Sequence, residues 1–135
     1  MNSRLLLAGI LVLVLVAAGG LQLASITGFF SAGETPSVEV IIDYGTETLA
    51  YNIEIGSRES ALDALVRVAV VDYKTYGELG AQVTGINNVN NEANHIWLCF
   101  INGENPSVAC SNYYPNNDDV ISFRYLTTEE AAQYF

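Results

Sequence analysis

The side chains able to do chemistry are few in this sequence, and they do not form a known catalytic arrangement. His95 is the only histidine, so a metal site or a general base would depend almost wholly on carboxylates. No serine lies in a Gly-x-Ser-x-Gly nucleophile motif, and no phosphate-binding glycine loop is present. Asp118 and Asp119 resemble solvated turn residues, because they lack the glycine and the distal glutamate of an EF-hand loop. The sequence therefore predicts a protein that is not an enzyme and has neither a metal nor a cofactor.

Two cysteines, Cys99 and Cys110, are the strongest candidates for a covalent link. The sequence predicts a hairpin here, with a strand at 95–101, a turn at 102–106 and a returning strand at 107–111. In one register of this hairpin the two cysteines lie directly opposite each other, at a separation that a disulfide can bridge. Exported proteins meet oxidising conditions, and no Cys-x-x-Cys spacing is present, so we predict a disulfide.

Aromatic residues beside the predicted loops are candidates for ligand contact. Trp97, Tyr113 and Tyr114 lie in or next to loops, and His95 shares a strand face with Trp97. Such rings combine apolar area with a polar edge and can form a contact platform. Each could also pack in the core or at its rim. We predict that Trp97, His95, Tyr113 and Tyr114 contact a ligand.

The N-terminal segment indicates export. After Arg4, residues 5–30 are uncharged and mostly apolar. A segment of this length can span a bilayer, since spanning takes about 20 residues. Small residues at 17–19 also fit cleavage of a signal peptide. Because the early positive charge precedes the segment, the rest of the chain is expected outside the cytoplasm. The predicted location is the cell membrane, with a single pass through residues 5–30, or secretion if the segment is cleaved.

Charge restricts the partners further. The formal net charge is −10, from 15 acidic and 5 basic residues. A field of this sign repels phosphate backbones, and no basic patch with interleaved aromatics offsets it. We therefore predict no nucleic-acid partner, but a small-molecule ligand or a cell-surface protein.

The elements that must position these residues follow from periodicity and turn chemistry. We predict a signal peptide or transmembrane anchor at 1–32, a linker at 33–37, one domain at 38–126 and a tail at 127–135 that forms a helical turn or frays. The predicted elements of the domain are strands at 37–44 and 48–55, a helix over 58–71 capped by Ser57, an irregular connection over 73–83 leading into a strand at 81–86, a loop at 87–94, the hairpin strands 95–101 and 107–111, and a last strand at 120–126. The helix is expected to bury Ala61, Leu62, Leu65, Val66 and Ala69 and to fray at Val68, Val70 and Val71.

Several motifs occur in an order and spacing that resemble one family. They are Gly56-Ser57, Ala61–Leu65, Val83–Ile86, Trp97–Gly103, Tyr113–Pro115 and Asp118–Phe123. Over residues 38–126 the chain resembles the transcobalamin C-terminal-like β-grasp domain. The resemblance implies an α+β fold, a β-grasp-like mixed sheet of about five strands with one packed helix. The turn at 117–119 departs from the family, because it lacks the usual central glycine.

The resemblance also implies a function. In animals this domain is the smaller half of the cobalamin carriers transcobalamin and intrinsic factor, and in prokaryotes it occurs on exported proteins. The carriers enclose cobalamin against a large helical domain, for which this sequence leaves no room. We therefore expect a non-enzymatic extracytoplasmic binding module for a small ligand, cobalamin or another corrinoid among the candidates, or for a partner protein. The alternative is a structural or assembly component of a cell-surface complex that acts through strand-edge or loop contacts.

Overall fold

The computed structural model describes residues 35–135. The predicted signal peptide or transmembrane anchor at 1–32, and the start of the linker at 33–37, lie outside the described residues. From Thr35 to Phe135, no helix has the length and apolar character needed to cross a membrane.

Strands dominate the described part of the chain. The bounds are β1 Ser37–Asp43, β2 Thr48–Glu54, α1 Ala61–Val68, β3 Val71–Thr75, β4 Ala81–Ile86, β5 Val89–Asn90, β6 His95–Ile101, β7 Val120–Thr127 and α2 Thr128–Ala132, with 3₁₀ turns at Gly77–Leu79 and Cys110–Asn112.

The strands form two sheets. A four-stranded mixed sheet has the order β2-β1-β7-β6, and a three-stranded antiparallel sheet has the order β3-β4-β5. In the larger sheet β1 runs parallel to β7, and the other neighbours are antiparallel. The predicted α+β class is confirmed, but the prediction of a single mixed sheet of about five strands is wrong. β3 and β5 account for the difference, because they pair with β4 and not with the larger sheet.

One apolar core joins α1 to the inner face of the larger sheet. Val38, Val40 and Ile42 alternate along β1 and are buried, as a strand with one covered face requires. They belong to the same cluster as Leu62 and Leu65 of α1. Helix and sheet thus bury each other's apolar sides, which fixes the position of every neighbouring loop.

The start of α1 corrects the predicted helix. Its N-cap is Ser60 and not Ser57: the Asp63 N–H donates to Ser60 Oγ at 3.1 Å, and the Ser60 N–H donates to Asp63 Oδ2 at 2.8 Å. This reciprocal capping box needs an acceptor three residues after the cap. Ser60 has Asp63 there, whereas Ser57 has only another serine.

The buried side of α1 also differs from the prediction. Ala61, Leu62 and Leu65 are buried as expected, but Ala64 is buried too, and Val66 is half exposed. The helix ends at Val68, where the β-branched run was expected to fray it. After Val68 the chain leaves the helix and enters β3 at Val71, so the residues that follow do not extend the apolar side of the helix.

Two connections differ from the predicted elements. The connection over 73–83 contains most of β3, and the loop at 87–94 contains the two-residue β5. Asn87 and Asn88 have φ values of 49° and 67°, which is the left-handed conformation that a two-residue hairpin turn requires.

The predicted partner strand at 107–111 does not form. The segment is irregular and ends in the 3₁₀ turn Cys110–Asn112, and β6 pairs with β7 instead. Pro106 has no N–H to donate to a sheet, whereas the eight residues of β7 supply an unbroken ladder. The tail at 127–135 forms the helical turn α2, whose capping box joins Thr127 and Glu130.

Candidate functional site

The predicted disulfide is present. Cys99 of β6 is bonded to Cys110, with the two Cα atoms 6.4 Å apart. The predicted hairpin register is nevertheless wrong, because Cys99 lies opposite Phe123 of β7. The bridge instead ties the irregular segment before the 3₁₀ turn to the outer edge of β6.

A cavity of about 290 Å³ lies beside this disulfide, between β4 and β6. Apolar groups dominate its lining, and its polar side chains are Gln82, Asn105 and Ser111. Small-molecule sites usually occupy roughly 300–1,000 Å³ and combine an apolar lining with a few polar groups. The cavity meets this description at its lower limit of size. Its main apolar lining comes from Leu62, Val83, Trp97, Cys99, Cys110 and Phe123.

Trp97 lies in a row of aromatic rings next to the cavity. Its side chain is 2% exposed, and its Nε1–H donates to the Val89 carbonyl at 2.7 Å. The indole packs against Tyr44 and Tyr125, with ring centroids 5.4 and 5.0 Å away, and His95 stacks on Tyr125 at 5.1 Å. The row holds Trp97 rigidly, and Trp97 also lines the cavity.

The hydroxyl of Tyr125, within this aromatic row, is held in place. It donates to the Asn90 carbonyl at 2.7 Å. Burial raises the pKa of Tyr125, and the negative charge of Glu92 raises it further. The phenol therefore stays protonated at neutral pH and fixes β5 against β7.

Tyr113 belongs to a different site, built around a buried carboxylate. Asp119, which is 7% exposed, accepts hydrogen bonds from Tyr113 Oη at 2.8 Å, from Asn102 Nδ2 at 2.9 Å and from the Asn116 N–H at 2.9 Å. Asn102 Oδ1 also accepts from the Val120 N–H at 2.8 Å. The cluster fastens the segment before β7 to the end of β6.

Asp119 corrects the expectation that both acids of this turn are solvated. Asp118 is exposed, as predicted, but Asp119 is buried. Burial acts to raise the pKa of the Asp119 carboxyl, and the three donated hydrogen bonds outweigh it, so that the pKa is lowered from the usual value. Burial raises the pKa of Tyr113, and the hydrogen bond to Asp119 and its charge act in the same direction. The sequence feature that could have indicated the burial of Asp119 is its position directly before the strongly apolar strand β7.

The four predicted ligand contacts do not form one platform. His95 and Trp97 lie near the start of β6, whereas Tyr113 is hydrogen-bonded to Asp119, which also binds Asn102 just past the end of β6, about 20 Å from His95 at the usual rise of a strand. Tyr114 is 58% exposed. Their contact with a ligand stays a prediction, and of the four only Trp97 lines the cavity.

The potential metal ligands are dispersed in the described part of the chain. Among residues 35–135 no three His, Cys, Asp or Glu side chains lie close enough to hold an ion together. The one ion pair found in this range joins Arg67 to Glu59. The apolar cavity beside the disulfide, and not a set of metal ligands, is therefore the candidate site in the described domain.

The fold and the cavity are those of a small α+β domain and are consistent with a binding module. The domain of unknown function DUF4430 matches residues 59–127, and the chain belongs to that family. No curated protein matches it.

Solved structures share the fold at low sequence identity. A Ruminococcus gnavus ATCC 29149 protein described as a candidate metal-binding protein is 14% identical, with a TM-score of 0.60, over 68% of this chain and 97% of its own. Haptocorrin in complex with Cbi is 16% identical, with a TM-score of 0.61, over 73% of this chain and 26% of its own. This chain therefore spans about a quarter of haptocorrin. At these identities the two matches show the fold alone, and together with the DUF4430 match they support the transcobalamin-like resemblance at the level of the fold.

Proposed function

We propose that this protein is a non-enzymatic binding module outside the cytoplasm, anchored through residues 5–30, which holds a small ligand in the cavity beside the Cys99–Cys110 disulfide. The cavity is the observation that carries the proposal. Among its described lining residues there is no histidine, acid or base. A nucleophile with an activating base is the minimum for covalent catalysis, so this lining favours recognition over reaction.

The cavity favours an apolar ligand or an apolar part of a larger one. Its volume of about 290 Å³ is at the lower limit for small-molecule sites. A corrinoid is much larger, so it would place one peripheral group in the cavity and lie with its remaining surface on the domain. The structural likeness to haptocorrin in complex with Cbi supports corrinoids as the first ligands to test.

A calorimetric titration of the full chain in detergent with cobinamide, cobalamin and small apolar compounds tests this proposal. We expect binding that is weakened at least tenfold by Val108→Trp, since Val108 lines the cavity and is 47% exposed. Val70→Trp is the matched control, because Val70 is 71% exposed and is absent from the lining. Equal affinities for the two variants, or no binding of any compound, would contradict the proposal.

The membrane part of the proposal is supported by the length and apolar character of residues 5–30. We expect membrane fractions of expressing cells to retain the chain with its unprocessed N-terminus. Mass spectrometry of the recovered protein checks this. A soluble secreted product that begins near Gly19 would show a cleaved signal peptide instead.

A further inference from the structure

The outer edge of β6 carries backbone groups that point away from the larger sheet. The Asn102 N–H donates to the Val120 carbonyl at 2.8 Å, which marks these two residues as a hydrogen-bonded pair of the β6–β7 ladder. Hydrogen-bonded pairs alternate along antiparallel strands. The N–H and C=O groups of Ile101, Cys99 and Trp97 therefore point outward from β7.

Both ends of this edge are closed by neighbouring loops. Ile101 exchanges backbone hydrogen bonds of 2.8 and 3.0 Å with Glu104, and His95 exchanges bonds of 2.8 and 3.4 Å with Glu92. Between these ends the Trp97 N–H donates to Asn91 Oδ1 at 2.9 Å. Within residues 35–135 no hydrogen-bond partner is found for the Trp97 carbonyl or for the N–H and carbonyl of Cys99. The open stretch is thus Trp97–Cys99.

The open stretch faces a second strand edge across the cavity. Ala81 and Val83 of β4 line the same cavity as Trp97 and Cys99. Asn91 joins the two edges at one end, because its Nδ2 also donates to the Val83 carbonyl at 3.4 Å. Beyond that link the cavity separates two strands that no ladder connects. An unpaired strand edge such as Trp97–Cys99 can accept an added strand.

Charge restricts what can occupy this edge. Glu92 and Glu104, one at each end of the open stretch, are exposed, and the chain carries a net charge of −10. Neither takes part in an ion pair with another described residue. An occupant with positive charge near both ends of a short extended segment therefore complements the site.

We propose that the edge Trp97–Cys99 binds an extended peptide of a partner protein that has a central apolar residue in the cavity and Lys or Arg near each end. The open stretch Trp97–Cys99 is three residues long, about 10 Å, so only the centre of the peptide pairs with β6 and its charged ends extend beyond the stretch towards Glu92 and Glu104. The peptide pairs its backbone with Cys99 and Trp97. This inference rests on the proposed function, because it assigns an occupant to the same cavity.

The blocked peptide Lys-Thr-Val-Leu-Val-Thr-Lys, labelled for fluorescence anisotropy, tests the inference on the full chain in detergent. We expect it to bind, and we expect binding to be lost when glycine replaces its central leucine. Methylation of the two peptide nitrogens that donate to the Trp97 and Cys99 carbonyls should weaken binding at least tenfold, and methylation of the nitrogen between them should have little effect, because only every second amide faces β6. Uniform tolerance of methylation would overturn the inference.

Charge reversal supplies a second readout. We expect Glu92→Lys with Glu104→Lys to weaken peptide binding at least tenfold and to reduce its dependence on salt. The matched control is Glu47→Lys with Glu54→Lys, two exposed acids of the β1–β2 hairpin with the same change in net charge. A control that weakens binding as much as the test pair would overturn the specific role of Glu92 and Glu104.

The outcomes separate this inference from the proposed function. Binding of cobinamide or an apolar compound that Val108→Trp blocks, together with failure of the peptide, would overturn only the inference. If neither the peptide nor any of the small compounds binds, both the proposed function and this inference are overturned. Peptide binding that Val108→Trp also weakens would support both.

Discussion

Asp119 is a buried carboxylate whose hydrogen bonds come from three separate parts of the chain. Tyr113 follows the disulfide segment, Asn102 follows β6, and Asn116 lies in the turn before β7. A buried carboxylate is stable only when its lone pairs are satisfied. The side chain therefore acts as a fastening point, and its lowered pKa shows that the folded state favours the charged form.

We expect Asp119→Asn to lower the free energy of unfolding at pH 7 by about 1–3 kcal/mol, because the new amide would present a donor to groups that need an acceptor. A folded pKa below the unfolded value of about 3.9 gives stability that is present above that value and is lost as the pH falls through the folded pKa. The variant should therefore lose less stability than the native chain below about pH 4. Urea unfolding at pH 7, 5 and 3 measures both effects.

Asp118→Asn is the matched control for this change. Asp118 is adjacent and exposed, and its positive φ of 67° is a conformation that asparagine adopts readily. We expect the control to change stability little at any of these pH values. Equal losses in the two variants would show that Asp119 has no special structural role.

Sequence reasoning identified the disulfide partners but not this carboxylate. Two cysteines in a chain that is predicted to be exported have one evident way to pair. Asp119, in contrast, differs from Asp118 only in what surrounds it after folding. Its burial depends on Asn102 and Tyr113, and no local pattern brings those residues to it.

Among the elements, α1 shows how a helix start is selected between two similar serines. Ser57 and Ser60 both precede the apolar run, but only Ser60 forms the reciprocal pair of hydrogen bonds with Asp63. The bonds satisfy two backbone N–H groups at the start of the helix at once. Ser60 is also buried, whereas Ser57 is exposed.

We expect Ser60→Ala to lower the free energy of unfolding by about 1 kcal/mol, the usual effect of removing an N-cap. Ser57→Ala should change it by less than about 0.5 kcal/mol, as is usual for exposed positions. Thermal unfolding followed by far-UV circular dichroism compares the two variants. A larger loss of stability in Ser57→Ala than in Ser60→Ala would indicate that Ser57, and not Ser60, caps the helix.

The long alternating strands were predictable, and the short ones were not. β1, β6 and β7 have strongly apolar patterns, and all three occur where the sequence placed them. β3 is almost wholly exposed, and β5 has only two residues. Such strands exist because β4 pairs with them, and strand pairing depends on the neighbour more than on intrinsic propensity.

At the level of the whole molecule, the disulfide connects parts that hydrogen-bond ladders leave separate. Cys99 belongs to the larger sheet, while Cys110 begins the turn that contacts α1 and β4. The adjoining Ser111 accepts a hydrogen bond from the Ala81 N–H at 2.7 Å. The bridge therefore holds the segment that closes one side of the cavity.

We expect Cys99→Ala together with Cys110→Ala to lower the free energy of unfolding by about 2–3 kcal/mol, the chain-entropy value for a sequence separation of 11 residues. A reducing agent should destabilise the native chain by a similar amount and leave the double variant unchanged. Guanidinium unfolding with and without the reductant measures this. A native chain that is insensitive to reductant would argue against a stabilising bridge.

The parallel pairing of β1 with β7 determines when this domain is able to fold. β7 lies between β1 and β6, although 76 residues separate the end of β1 from the start of β7 in the sequence. During synthesis only the β1–β2 hairpin of the larger sheet can form before residues 120–127 emerge, and such long-range pairing is slow. The larger sheet, and the core that it shares with α1, therefore cannot be completed until synthesis of the chain is almost finished.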